Sequence, residues 1–127
     1  MGNGTSIGRV RGLGSAHSGA HHWLLQRFTA IGNLLLMTYL LVSFLLLPNL
    51  SYMAVNDWLA HSIPATAVGL LVISLFWHAK LGLQVVIEDY VHESASKFAC
   101  IAALNLAAFG GAGFGVFSIV RIALGAA

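Results

Sequence analysis

The sequence predicts an all-α membrane protein built on three transmembrane helices. Three observations carry that prediction. The stretches Phe28–Asn56, Trp58–Ala79 and Phe98–Val120 contain no Asp, Glu, Lys or Arg, and each reaches the about 20 residues a helix needs to cross the hydrocarbon core of a bilayer. Apolar residues make up 58% of the 127 and charged residues 8%, against roughly 25% charged in an ordinary soluble domain. Finally, too little chain lies outside these stretches to bury a water-soluble core, which excludes a separate soluble catalytic domain.

Taken in order, residues 1–22 are rich in Gly and Ser, carry Arg9 and Arg11, and read as a polar tail. A cleavable signal peptide is not expected, because the apolar region starts late, runs too long and lacks a clear cleavage site. The membrane domain is then 23–127. Its first span is placed at about Phe28 to Leu47, ended by Pro48-Asn49, since proline disfavours helix in the residue before it. Asn56, Asp57 and Trp58 suit a headgroup loop. Pro64 resembles the first turn of the second span, where its missing N–H costs nothing, and that span runs to about Ile87. The polar link Glu88 to Lys97 leads to a third span at about Phe98 to Leu124. Within it, Ala103, Ala107, Gly111 and Gly115 form a row of small residues that lets helix backbones approach in lipid. The formal charge of +2 is small and scattered, which argues against a nucleic-acid partner. Cys100 stands alone in the third stretch and reads as a small packing residue.

His78 is the residue most open to chemistry. It sits mid-span, where a polar side chain is expensive unless used. At 100° per residue, Ser74, Gly82, Val85 and Asp89 share its face. A glycine one turn on leaves room for a flat ligand against the backbone. One imidazole beside such a cleft suits one axial position of a haem iron, and the second ligand then needs another polypeptide. Hydrogen-bonded packing is the ordinary alternative for a buried histidine.

Glu88-Asp89-Tyr90 stands where the second span emerges. A tyrosine hydroxyl there suits the carbonyl of a lipid-soluble quinone, with Asp89 orienting it or relaying protons. An aromatic-belt tyrosine beside solvated carboxylates is the other reading. His17, His21 and His22 have no carboxylate or cysteine beside them, and a metal site is not expected there. Arg27, just inside the interface, can pair with carboxylates or anionic headgroups, or simply set topology. Lys80 falls about 200° from His78, on the opposite helix face. Snorkelling or pairing with a neighbouring subunit is expected of it rather than catalysis.

The run His78-Ala-Lys-Leu-Gly82-Leu-Gln84-Val-Val-Ile-Glu-Asp89-Tyr90 resembles the smaller hydrophobic anchor subunit of succinate dehydrogenase, respiratory complex II. Gln26-Arg27-Phe-Thr29-Ala30-Ile31 resembles the Arg-x-Thr-Ala-Ile motif that opens that family's first span, and Gly-Ser-Ala-His-Ser-Gly resembles its alphaproteobacterial members. With the three-span layout, the resemblance covers essentially the whole chain. It implies half of a haem-binding helical bundle completed by a partner subunit, and a set of site residues. His78 would be one axial ligand of haem b, with the other from the cytochrome b subunit. Tyr90 would hydrogen-bond ubiquinone, Asp89 would lie beside it, and Arg27, with His21 nearby, would lie near the haem propionates. Lys80 departs from the aromatic or apolar residue often found at its position. Succinate oxidation itself would belong to the flavoprotein and iron–sulfur subunits. This chain would anchor them in the bacterial inner membrane and help pass electrons to quinone, as a part of the oxidoreductase that does not itself oxidise succinate.

Three rivals stand beside this expectation. An anchor of a quinol:fumarate reductase would share the fold with reversed electron flow. A small transporter subunit would need His78 and Lys80 on one pathway, yet they fall on opposite faces. A structural adaptor would hold no cofactor. Topology follows from Arg9, Arg11 and Arg27 before the first span and Lys97 in the second loop, with none in the first loop or the carboxyl-terminal tail. A reporter fused at Ala127 is therefore expected to be active only on the periplasmic side. Cytoplasmic activity at that position would overturn the assignment.

Overall fold

The structure, a computed structural model, describes residues 19–125. These form four helices: α1 (Gly19–Leu46), α2 (Tyr52–Ala60), α3 (Ser62–Tyr90) and α4 (Ser94–Ala123). No strand occurs among the described residues. Helices α1, α3 and α4 are each long and apolar enough to cross a membrane. The three expected spans are all present, but their ends differ. Helix α1 reaches back to Gly19, into the stretch read as polar tail. Nothing between Gly19 and Phe28 breaks a helix, and polarity alone had set that boundary. Residues 1–18, with Arg9, Arg11 and His17, lie outside the described residues.

At Pro48 the chain turns and builds α2, a helix the sequence reading took for loop. Asn49 Oδ1 accepts from the Ser51 N–H at 3.0 Å, and Ser51 Oγ accepts from the Ala54 N–H at 3.3 Å. Ser51 is thus the N-cap of α2. An edge-to-face contact between Phe44 and Trp58, with ring centroids 5.4 Å apart, holds α2 against the end of α1. Pro64 falls in the first turn of α3, as expected of a proline there.

Between α3 and α4 the link is short. Lys97 Nζ donates to the Glu88 carbonyl at 3.1 Å, closing one of the carbonyls that the end of α3 leaves free. Helix α4 ends with Arg121 in its last turn and Gly125 at φ 71°. A cation there complements the helix dipole, and glycine takes the left-handed position without strain. Arg121 is also a positive charge at the end that the loop-by-loop tally left bare, so the asymmetry behind the topology is smaller than that tally implied.

Helix α3 is the centre of the arrangement. It packs on α1 along one side and on α4 along the other, while α1 and α4 do not pack on each other. The few buried apolar residues, Leu59, Leu71, Leu81 and Ile119, sit on α2, α3 and α4. Large apolar side chains such as Leu34, Leu45, Leu46, Phe98 and Phe114 are exposed, as suits surfaces meeting lipid or other apolar helices. Cys100 is likewise exposed rather than packed within the chain.

Two of the four small residues in the α4 row carry the α3 contact. A Cβ added at Gly111 would lie 2.4 Å from Phe76 Cε1, and one at Gly115 would lie 2.7 Å from Val72 Cγ1. Ala103 and Ala107 are exposed. The row is thus a packing device at its far end only. Phe76 has a long ring that can swing aside, whereas the short branched Val72 cannot. Gly115→Leu is therefore expected to force α3 and α4 apart and to destabilise the folded chain by about 1–3 kcal/mol. Thermal unfolding in detergent measures this, and an unchanged midpoint would refute the close-contact role.

Candidate functional site

The site grows from a polar stripe on α1. His22, Gln26, Thr29 and Asn33 follow at helical spacing and lie within about 60° of one another around the axis. None is fully exposed, and the helix turns them toward α3. Opposite them α3 presents Ser74, His78 and Gly82. Thr29 Oγ1 lies 3.0 Å from His78 Nδ1, and the Gln26 side-chain amide donates to His78 Nε2 at 3.4 Å. A Cβ placed on Gly82 would touch only that same Gln26 amide, at 3.6 Å, and one on Gly32 would meet Ser74 Oγ at 3.9 Å. The antiparallel register is consistent at each point: residue 32 lies by 74, 29 by 78, and 26 by 82.

This seam is polar beyond its own needs. His22 Nε2, Gln26 Oε1 and Asn33 Oδ1 are all buried without a hydrogen-bond partner. Buried polar atoms are normally satisfied, so three orphans along one helix stripe mark a place where a further polar group belongs. Toward the α1 start, the seam opens into a cleft of about 560 Å³ lined by Gly19, His21, His22, Leu25, Gln84, Val85 and Glu88. Gln84 Nε2 donates to Glu88 Oε1 at 2.8 Å on its α3 wall.

Among the expected site residues, His78 is held by α1 and His21 lines the cleft. Arg27 points elsewhere, with its guanidinium 5.4 Å from the centre of the Trp23 ring on the exposed side of α1. Asp89 and Tyr90 stand at the end of α3, both exposed, Tyr90 to 80%. Neither lines the cleft. The chain thus brings together His78 and its α1 partners, and it leaves the Tyr90 hydroxyl facing outward. No cluster of three metal-ligating side chains occurs among the described residues.

Lys80 does lie on the opposite side of α3 from His78, as its spacing requires, but it does not snorkel toward the nearer helix end. Its Nζ lies 4.9 Å from the Trp77 ring centre and 5.5 Å from that of Phe109 on α4. Helical side chains lean toward the helix N-terminus, and for Lys80 that direction leads deeper into the span. Two aromatic faces receive the ammonium there. Those rings also meet each other edge to face, with centroids 6.0 Å apart.

Comparison with known proteins gives the geometry a family. Residues 1–112 match the family described as succinate dehydrogenase/fumarate reductase transmembrane subunit. The chain belongs to that family. A succinate dehydrogenase hydrophobic membrane anchor subunit of Rickettsia bellii is 41% identical over 101 residues, covering 79% of this chain and 80% of that protein. The protein of the same name from Rickettsia conorii is 43% identical over 88 residues, covering 67% and 68%. A succinate dehydrogenase membrane anchor subunit of Reclinomonas americana is 32% identical over 94 residues, covering 72% and 78%. No solved structure matches the chain significantly.

Membership confirms the resemblance and makes the three apolar helices those of a multi-pass membrane protein. Of the run Gln26–Ile31, the sequence alone points to Arg27 as the site residue. Gln26 and Thr29 are the residues that touch His78. The signal was in the sequence: His22, Gln26, Thr29 and Asn33 recur at helical spacing on one face of the span.

Proposed function

We propose that this chain is the hydrophobic anchor subunit of a succinate:ubiquinone oxidoreductase, holding one side of a haem b and contributing to the site where ubiquinone is reduced. The observation that carries the reading is His78, fixed mid-span between α1 and α3 in a chain whose relatives are named succinate dehydrogenase anchor subunits. The residues fit an iron ligand. Only an amide N–H faces His78 Nε2, which is what a lone-pair nitrogen attracts. Gly82 leaves the adjoining backbone open apart from the movable Gln26 side chain. The partnerless His22, Gln26 and Asn33 atoms add polar capacity along the same seam. Bound haem would supply a one-electron centre within the bilayer.

The iron's other protein ligand would come, on this reading, from the partner cytochrome b subunit, which would dock on exposed apolar surface of the three-helix layer. The iron–sulfur and flavoprotein subunits dock at the cytoplasmic face of the inner membrane. His21 in the cleft would meet the polar edge of the haem, the propionates. Arg27, held over Trp23, presents its charge outward, where a propionate reached across the subunit boundary can pair with it. Tyr90 lies about 18 Å further along α3 than His78. Its exposed hydroxyl would donate to a quinone carbonyl in a pocket whose other walls belong to partner subunits, with Asp89 beside it. Succinate as electron donor is favoured over fumarate as acceptor because the relatives compared are named for succinate dehydrogenase.

Two variants test the two halves of the reading. His78→Leu removes an imidazole but keeps the span apolar. It is expected to abolish the b-type haem band in the reduced-minus-oxidised spectrum, or to change its spin state, and to weaken retention of the cytochrome b partner. An unchanged six-coordinate spectrum rules out His78 as ligand. Tyr90→Phe removes only a hydroxyl, whose net hydrogen bond is worth about 0.5–1.5 kcal/mol. Quinone reduction is expected to fall several-fold, with haem content and succinate oxidation by an artificial dye preserved. A ratio of quinone to dye activity equal to wild type would reduce Tyr90 to an interfacial anchor.

A further inference from the structure

We propose that Thr29 is the positioning residue for His78: its hydroxyl accepts the Nδ1 proton, fixes the imidazole in one tautomer, and turns the Nε2 lone pair into the ligand position. The inference rests on the haem reading above and goes beyond it by naming what makes His78 a competent ligand.

Thr29 Oγ1 lies 2.8 Å from the Leu25 carbonyl and 3.1 Å from the Gln26 carbonyl, both in its own helix. Carbonyl oxygens only accept, and at 2.8 Å the Leu25 carbonyl is the nearest acceptor for the single hydroxyl hydrogen. With its hydrogen on that carbonyl, Thr29 turns a lone pair toward His78 Nδ1, 3.0 Å away, and Nδ1 is the donor. A neutral imidazole with its hydrogen on Nδ1 keeps its lone pair on Nε2. The second neighbour fits the same tautomer. The Gln26 amide nitrogen is a donor, and it faces Nε2 at 3.4 Å, as it would face an acceptor. One neighbour sits at each nitrogen, and both fit the tautomer with its hydrogen on Nδ1.

The two neighbours then play different parts. The bond to Thr29 is made on the nitrogen away from the ligand position and can persist when a metal is bound. Gln26 touches the ligating nitrogen itself and also fills the space over Gly82, so its side chain must swing aside when Nε2 takes a metal. Its partnerless Oε1 leaves little to hold it there. A hydroxyl that bonds back to its own helix turn is held in a fixed rotamer, which makes Thr29 a rigid support. A donated Nδ1–H also makes the imidazole a stronger σ-donor, which favours the ferric over the ferrous metal.

Thr29→Val keeps the shape and removes the acceptor; Thr29→Ser keeps the acceptor. In the whole complex purified from membranes, the valine variant is expected to lower haem affinity by about tenfold or more, the usual effect of losing an outer hydrogen-bond partner of a metal ligand. The haem midpoint potential is expected to rise. A tenfold loss confined to the ferric form corresponds to about 59 mV for one electron. The serine variant should restore both values. A valine variant with wild-type potential and haem content overturns the proposal, as does a serine variant that behaves like valine. If the valine complex does not assemble, Thr29→Cys supplies the test. Its weakly accepting sulfur should give an intermediate potential, and a wild-type potential there counts against the proposal. His78→Leu, measured alongside, separates the two levels. If it leaves the haem intact, the ligand reading itself fails; if it removes the haem while Thr29→Val changes nothing, only the role of Thr29 fails.

Discussion

The structure depends on keeping one polar seam out of lipid. His22, Gln26, Thr29 and Asn33 on α1 and Ser74 and His78 on α3 would each be costly facing hydrocarbon, where no water can satisfy them. Laid face to face, the two helices hide these groups from lipid and satisfy part of them from each other, as the bonds at Thr29 and Gln26 show. In a bilayer there is little hydrophobic drive between helices, because lipid tails are as apolar as leucine. Association of α1 with α3 must therefore come from such hydrogen bonds and from close packing. The α3–α4 pair uses the second means, with Gly111 and Gly115 admitting Phe76 and Val72. Helix α3 is central because it alone carries a polar face on one side and a small-residue contact on the other.

How much of this was legible in the sequence follows from which kind of signal each feature leaves. The three spans were legible because absence of charge over a span length is a strong, local constraint. Pro64 and Gly115 were legible because each has a backbone consequence that depends on residue type. Helix α2 was not, since it is held by the Ser51 cap, the Asn49 turn before it, a ring contact with Phe44 and packing on α3 and α4, and its composition reads equally as a headgroup loop. The direction of Lys80 was also misread. Distance to the nearer helix end pointed one way, whereas the tilt of helical side chains and two waiting rings took it the other way. At the site, His78 was found as a lone polar residue in α3. Its supports were missed because the stripe on α1 gains meaning only when set against another helix, and that register is a tertiary fact.

On the proposed reading, the same pairing explains why the described residues offer one iron ligand and not two. Helices α1 and α4 flank α3 without touching each other, so the three long helices form an open layer rather than a closed bundle. A closed bundle could face two histidines across its own core. An open layer can only offer one face, and here His21, His22, His61 and His92 all lie toward helix ends rather than beside His78. On the proposed reading, haem binding and subunit docking are then one event, since the metal joins a ligand from each side. Such a metal stabilises the assembled state by mass action and leaves each separated subunit with an unfinished site.

Tyr90 carries that argument to the membrane face. A tyrosine packed within its own chain would rest its ring on a neighbouring helix and find a partner for its hydroxyl. Tyr90 does neither within the described residues; it stands 80% exposed at the last residue of α3. Just beyond it, the α3–α4 link is tied by Lys97 to the Glu88 carbonyl, so the backbone that presents the ring is firmly held. An exposed side chain on a fixed backbone suits a group whose partner arrives from outside. The protein thus holds its two proposed reactive positions by different means: His78 is fixed by side-chain hydrogen bonds inside the seam, and Tyr90 by the helix end that carries it. The first can be tuned from within this chain, through Thr29 and Gln26. The second can be tuned only by whatever completes the pocket around it.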